Sequence, residues 1–402
     1  MIRCLDLVAK NIMNKGKYVF AQLMSLLDHN EFNRCVERYN GNYKVRSFTC
    51  WHQFLCLSFG QLSQRESLRE IVLCLQSHEK KMYHLGITEG VKRSTFAEAN
   101  ETRDYKIYQD FALTLIQRAR KLYENDNDTK LNIDAPIYAI DATVIDLCVS
   151  VFWWAPFRKT KAAIKLNVQL DLKCAIPTFV HITDGKQHEV NSLELIDIEP
   201  GAYYVMDKGY TDFEKLYKMH RSKAYFVTRA KCNQAVRRIY SAKVDKSTGV
   251  KYDQIVKLKN YTASKKYPEK FRRVKYYDEE LKRYFIFITN NLSISALEVA
   301  LLYKNRWKVE LFFKWIKQHL KIKVFWGESK NAVYTQIWAA ISNYVLVNIL
   351  KKELNTSFTP YEILQILSVS LFDKTPINTL LHSEDLHKEE NVNSKQLNIF
   401  DL

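Results

Sequence analysis

The feature that most limits what this chain can fold into is a change of hydrophobic period near residue 130. From about residue 17 to 123 apolar residues recur three and four apart, as in Phe48, Trp51, Phe54 and Leu55 and again in Leu68, Ile71, Val72 and Leu75, which predicts several short helices. Ser94, ahead of Thr95-Phe96-Ala97-Glu98, is the expected N-cap of one of them. The polar stretch 124–130 reads as a linker. Beyond it lie runs of strand texture at 137–145, 163–172, 176–183 and 202–206. The first three are close enough for an antiparallel meander. The fourth, arriving after a short helix expected around 191–195, would pair in parallel. A further helix is expected over 213–221.

Residues 223–290 alternate apolar with basic or aromatic residues, the pattern of a β-rich segment, and helices resume at Ser295 and run with breaks to about Leu371. The expected architecture is therefore an α/β protein. It has an all-α N-terminal domain (1–125), the first part of a mixed-sheet core (132–222), a basic β-rich insertion (223–292), the second part of the core with C-terminal helices (293–372) and a polar tail (373–402).

The chain carries a formal charge of +17 and a pI near 9.3, which favours polyanionic partners and makes nucleic acid the leading one. Location sharpens this. Residues 215–290 hold 21 Lys and Arg against 6 Asp and Glu, an excess of 15 that is nearly the whole surplus. The 47% hydrophobic content is ample for a core, while the longest apolar runs fall short of a membrane span and no leader pattern opens the chain. No membrane association or export is expected. The eight cysteines include no C-x-x-C pair, so neither a disulfide framework nor a zinc site is expected, and a reducing cytoplasm fits.

Three acidic residues stand out. Asp141 sits inside an apolar strand, where a lone carboxylate is expensive unless paired or metal-bound. Asp207 ends a second apolar strand ahead of Lys208-Gly209-Tyr210, the kind of carboxyl edge at which open α/β sheets bind ligands. Taken singly, each has an ordinary reading, a strand-end aspartate that meets solvent or one that opens a turn. Asp146, five residues past Asp141, falls on the opposite strand face and is left out. The third element is the run 303–317, in which spacings of three, four and seven place Tyr303, Arg306, Glu310 and Lys317 on one helix face, with Leu302, Val309, Phe313 and Ile316 free to face a core. A solvated charged face with an Arg306–Glu310 pair is the plain alternative. Against it, Trp307, Phe312, Phe313 and Trp315 suggest that most of the circumference is covered.

Asp141, Asp207 and Glu310 together would repel one another, and divalent cations would relieve that repulsion. Hard oxygen ligands suit Mg²⁺ or Mn²⁺, and two such ions would serve an in-line phosphoryl displacement. Tyr303, Arg306, Lys314 and Lys317 are the candidate DNA contacts beside them. His188 reads as a surface histidine. Lys159, Lys161 and Lys165, after the aromatic stretch 152–154, suit either DNA contact or a hydrophobic loop packed on the core.

The motif Y-x-x-R-x-x-x-E-x-x-x-x-x-x-K, present as Tyr303, Arg306, Glu310 and Lys317, resembles the signature of the insertion-sequence-four family of bacterial DDE transposases. Ile140-Asp141-Ala142-Thr143 resembles that family's first-aspartate strand. Met206-Asp207-Lys208-Gly209-Tyr210 resembles its second, with Lys208 where Arg is usual. The stretch 325–333 with Gln336 and Ile337 also matches. The resemblance implies a ribonuclease H-like mixed-sheet catalytic core interrupted by the β-rich insertion and preceded by a DNA-binding helical domain. It implies cut-and-paste transposition of an insertion sequence by a homodimer acting on double-stranded DNA with terminal inverted repeats and on target DNA. Tyr303, Arg306 and Lys317 would then contact the transposon end near the cleaved phosphate. A competing reading is a catalytically inactive DNA-binding protein or repressor that recognises transposon ends. A structure-selective nuclease is a third, but it would need neither the helical domain nor the insertion.

Overall fold

The computed structural model describes residues 16–382, apart from 88–89, 127–130, 132, 149, 159–160, 232–233, 320–321 and 323. Most of the linker expected at 124–130, Lys159, and the tail beyond 382 lie outside the described residues.

Along the chain come helices α1 (Val19–Met24), α2 (His29–Arg38), α3 (Cys50–Leu62), α4 (Leu68–Ser77), α5 (Arg93–Thr102) and α6 (Lys106–Leu122). Strands β1 (Ile137–Leu147), β2 (Pro156–Arg158), β3 (Lys161–Asp171), β4 (Ile176–Asp184) and β5 (Tyr203–Met206) follow, then α7 (Phe213–Arg221) and β6 (Tyr225–Arg229). Next are β7 (Val236–Ala242), β8 (Val250–Leu258), α8 (Tyr261–Lys266), β9 (Phe271–Asp278) and β10 (Arg283–Thr289). The last elements are α9 (Ala296–Asn305), α10 (Trp307–His319), α11 (Lys330–Leu354), α12 (Pro360–Ser370) and α13 (Ile377–Leu380). The chain divides into two compact units. One joins the residues up to Tyr123 with those from Trp315 onward, and the other runs Glu124–Lys314.

In the first unit α11 is the central pillar. Every residue from Ala332 to Leu350 is buried, with α3, α5 and α6 packed around it. By length and composition α11 could cross a membrane, against the expectation that no apolar run reaches that, but its apolar window lies wholly inside the protein. Two residues of the motif-bearing stretch near it have structural work. Asn331 Nδ2 donates to the Asn100 and Arg103 carbonyls at the end of α5, at 2.9 and 2.6 Å. Gln336 accepts from the Trp326 N–H at 2.8 Å and donates to the Val324 carbonyl at 2.9 Å. The expected cap at Ser94 does not form. Helix α5 starts two residues earlier than that cap implies, at Arg93, with Lys92 as N-cap and no side-chain bond there.

The second unit is built on one 10-stranded sheet in the order β2-β3-β1-β5-β6-β10-β9-β8-β7, with β4 also paired to β3. The expected meander is present as β1, β3 and β4, and β5 joins β1 in parallel across Ile137–Tyr203 to Ile140–Met206. The sheet runs on past the boundary expected at 222/223. Strand β6 pairs with β5 in parallel and then hands over to β10, β9, β8 and β7, all antiparallel, so the basic segment extends the same hydrogen-bonded ladder. On one face Tyr138, Ile140, Tyr204, Met206 and Phe226 pack against Leu216 and Met219 of α7 and against Tyr267. Asp212 caps α7 by accepting from Glu214 and Lys215 N–H groups. Helix α9 packs on β5, β6 and β9, launched by a capping box between Ser295 and Glu298. This mixed sheet with helices on it, inside a chain that opens with helices, is the ribonuclease H-like α/β arrangement.

Candidate active site

The sheet places the two aspartates side by side. The last paired residues of the parallel strands are Ile140 with Met206 and Met206 with Thr228. Asp141, Asp207 and Arg229 are each the next residue along their chains, so they stand in neighbouring positions where the parallel pairing ends. Asp207 owes its freedom to the turn at Lys208–Tyr210, which takes its chain away from the ladder.

The helical signature is not one continuous helix. Helix α9 ends at Asn305, and the chain tightens at Arg306, whose N–H donates to the Tyr303 carbonyl at 3.0 Å while its own carbonyl accepts from the Val309 N–H at 3.1 Å. These i→i−3 bonds are a short 3₁₀-like joint before α10. They leave the φ and ψ of Arg306 helical, at −55° and −30°. The phase of the motif is thus kept, and Arg306, at the joint, reaches the sheet. Val309, Phe312, Phe313, Trp315 and Ile316 are buried as expected. Trp307 is the exception among the aromatics, 55% exposed.

Arg306 ties the site together. One terminal nitrogen donates to Asp141 Oδ2 at 2.7 Å, and the other lies in a short contact with Glu310 Oε1. Asp141 Oδ1 accepts from the Ala142 N–H at 2.9 Å. Asp207 is held from the other side. Arg229 Nε donates to its Oδ1 at 2.9 Å, and the Tyr303 hydroxyl donates to the same oxygen at 3.2 Å. Thr228 Oγ1 donates to the Asp207 carbonyl at 3.0 Å. Tyr303, expected as a DNA contact, is here buried with its hydroxyl on a carboxylate.

The two aspartates differ electrostatically. Burial pushes the Asp141 carboxyl up to about 6, more than Arg306 and the Ala142 N–H pull it down, and Glu189 and Glu310 add to the rise. At Asp207 burial acts in the same sense, but the Lys208 N–H and the Arg229 guanidinium outweigh it and the carboxyl falls below its ordinary value. Burial raises Tyr303 to about 12, so it is a donor at neutral pH. Burial alone would lower Arg306, but Tyr303, Asp141 and Glu310 outweigh it and raise it. A hollow of about 560 Å³ opens beside this group, lined by Arg229, Phe287, Tyr303, Arg306, Trp307 and Glu310 among others.

Lys314 is exposed on α10. Lys317 lies farther along α10, on the part that belongs to the first unit, and is half-buried. Lys165 is not available to DNA as the basic–aromatic pattern suggested. It is 8% exposed, with Nζ donating to the Gln187 carbonyl at 2.7 Å and lying 3.6 Å from Glu189, because its strand is covered on both faces. Lys161 is exposed, Trp153 is exposed and Phe152 is buried. His188 is exposed at the start of the turn Glu189–Glu194. Arg229 and Glu189 escaped the sequence reading, and Tyr210 entered it only as the end of the stretch that follows Asp207. Arg229 could have been found as the residue ending β6 in the position that Asp207 holds after β5.

Three carboxylates with two guanidinium groups between and beside them have the donor chemistry of a hard-cation site. Arg306 already supplies a positive charge between Asp141 and Glu310. As they stand, no three His, Cys, Asp or Glu side chains among the described residues are arranged to hold a metal ion. A divalent ion at these carboxylates would therefore take over the place of the Arg306 guanidinium.

Comparison with known proteins gives the family of the chain. Residues 133–346 match the family model described as a transposase DDE domain, and residues 15–88 match a domain of unknown function, DUF4372. A protein named as transposase y4zB of Sinorhizobium fredii is 34% identical over 258 residues, covering 63% of this chain and 70% of that relative. One named as the transposase for insertion sequence element IS5377 of Geobacillus stearothermophilus is 27% identical over 319 residues, covering 74% and 81%. A third, named for element IS4SA of Synechocystis, is 23% identical over 288 residues, covering 71% and 80%. The family match spans the strands and the helix that carry Asp141, Asp207 and Glu310, and the chain belongs to the DDE transposase family as the transposase of an insertion sequence.

Proposed function

We propose that this transposase cuts DNA at the ends of its element and joins those ends to target DNA, with Asp141, Asp207 and Glu310 as the catalytic carboxylates. The observation that carries the reading is the register of the sheet. Asp141 and Asp207 occupy adjacent positions where β1 and β5 part, and Arg306 links the first of them to Glu310. The same three residues would hold Mg²⁺, with Mn²⁺ as a substitute and two ions as the complement. Such ions supply Lewis-acid stabilisation of attacking and leaving oxygens at a phosphodiester. The remaining work falls to side chains. Arg306, turned from Asp141 toward the DNA, would grip a phosphate oxygen, and Lys314 and Lys317 would fix the backbone farther along α10. Tyr303 and Arg229 keep Asp207 oriented.

The basic strands β7 to β10 supply sequence-independent affinity for DNA, and the helical N-terminal region is assigned the recognition of terminal inverted repeats. A homodimer pairing two ends in the cytoplasm completes the cut-and-paste reading. The test uses linear DNA carrying the element's ends together with a supercoiled plasmid, with Mg²⁺ and with EDTA. Excised ends and joined plasmid products in Mg²⁺ alone are expected. Specific binding of the ends without cleavage in either Mg²⁺ or Mn²⁺ would instead establish the repressor reading.

A further inference from the structure

The sheet face turned away from the carboxylates carries a second set of paired side chains. On strands β8 to β10 the register sets Tyr252 opposite Lys275, Gln254 opposite Arg273 and Tyr277 opposite Tyr284, so these residues share one face. Tyr276, Phe285 and Phe287 lie on the other face, the one that Arg229 shares, and line the hollow beside Arg306. The first face divides in two. Its inner half, Val256, Leu258, Phe271 and Ile288, is buried in the cluster with Leu216, Met219 and Tyr267. Its outer half is aromatic and basic and reaches solvent: Tyr284 is 57% exposed, and Lys251, Tyr252, Arg273, Lys275 and Tyr277 are half-buried. There the cations lie over the rings. Arg273 is 5.8 Å from the ring centre of Tyr252, Lys275 is 4.6 Å from that of Tyr284, and Lys251 is 5.8 Å from that of Tyr277. The rings of Tyr277 and Tyr284 are 4.9 Å apart.

Cation–π pairs steady any exposed surface modestly. Charge asks for more than that here. The acidic residues of strands β7 to β10, Asp253 and Asp278, both fall on the opposite face, so three cations are grouped with no carboxylate from these strands beside them. Such a group repels itself and draws a polyanion. The rings narrow the class of polyanion. In duplex DNA the base faces are already stacked on one another, and phosphates alone would call for cations alone. An unpaired strand presents phosphates together with free base faces, and cations interleaved with aromatics on an open surface match both. We propose that the outer half of this face binds single-stranded DNA, with its phosphates on Lys251, Arg273 and Lys275 and its bases stacked on Tyr277 and Tyr284. The inference rests on the reading of β7 to β10 as DNA-binding strands.

The probes are an oligothymidylate and a duplex that lacks the element's ends, both in EDTA, with binding followed by fluorescence anisotropy. Tyr284→Leu should weaken the oligothymidylate about tenfold and the duplex by less than about twofold, and the retained duplex binding shows that the variant is folded. Tyr284→Phe, which keeps the ring, should bind both as the wild type does. Arg273→Gln combined with Lys275→Gln should weaken both DNAs and flatten their salt dependence. With 5-iodouracil in the oligonucleotide, light should crosslink it to Tyr277 or Tyr284. Equal losses on both DNAs in Tyr284→Leu, no loss on either, or crosslinks confined to residues off this face would overturn the proposal. The two levels separate. If the double charge variant binds both DNAs as the wild type does, the DNA-binding assignment of these strands fails too; if it weakens both while Tyr284→Leu binds oligothymidylate normally, only the stacking role fails.

Discussion

The Arg306 guanidinium spans Asp141 and Glu310, donating at 2.7 Å to the first and making a short contact with the second. Both Arg306 and Asp141 are largely withdrawn from solvent, with side chains 14% and 16% exposed, whereas Glu310 is 55% exposed. The attachment to Asp141 is therefore the energetically weighty one, and the attachment to Glu310 is the one that can exchange.

Replacing Arg306 by Gln leaves Asp141 buried beside Glu189 and Glu310 without its cation. Proton uptake by Asp141 limits the damage, so a loss of about 1–3 kcal/mol in metal-free protein at pH 7.5 is expected. Chemical denaturation with and without Mg²⁺ checks it, and the ion should recover part of the loss. An identical loss in both conditions would show that Mg²⁺ does not stand in for the guanidinium.

Asp141 should make the fold less stable as pH rises from about 4 to about 6. Its carboxyl moves from an ordinary 3.8 to about 6 on folding, so the folded state binds the proton more tightly, and stability present below the lower value is lost through the upper one. Asp141→Asn cannot ionise. In EDTA its Tm relative to the wild type should improve across that window, by the equivalent of about 1–3 kcal/mol. A difference that stays flat or falls with pH would contradict the raised value.

Asp207 should behave in the opposite sense. Its carboxyl is lowered on folding, chiefly because the Lys208 N–H and Arg229 overcome burial, so its contribution is present above the ordinary value and fades as pH falls through the folded one. Asp207→Asn should cost most near neutrality, and the gap to the wild type should close in acid. Thermal melts of the variant and the wild type from pH 3 to 7.5 decide it.

Strand β7 forms one end of the sheet and bears Arg237 and Arg238 on exposed positions. Changing both to Glu should weaken binding to DNA of any sequence and lower the slope of log K against log salt by about 0.9 for each phosphate that is no longer neutralised. Fluorescence anisotropy on end DNA and on unrelated DNA measures this. A defect confined to end DNA would mean that β7 reads sequence.

The sequence was informative wherever local pattern and tertiary role coincide. The meander and the parallel β5 follow from runs of strand texture and the helical crossover between them, the helix at Phe213–Arg221 falls where it was expected, and the core face of 302–316 follows from helical spacing. It was silent wherever long-range contact decides. Nothing local marks Arg306 as a joint, because the tightened turn accompanies a bond to a residue 165 positions away. Arg229 is one basic residue in a basic stretch until the parallel register sets it beside Asp207. Lys165 looks like a surface lysine, yet β3 is covered on both faces and the ammonium turns inward to a loop carbonyl.

The most direct test of the catalytic assignment is single-turnover cleavage of end DNA in Mg²⁺ by the wild type and by Asp141→Asn, Asp207→Asn and Glu310→Gln, each first shown to bind that DNA. Each substitution should abolish cleavage while leaving end binding intact, because each removes a carboxylate and preserves shape. Cleavage at the wild-type rate by any one of the three would remove that residue from the site, and cleavage by all three would refute the account.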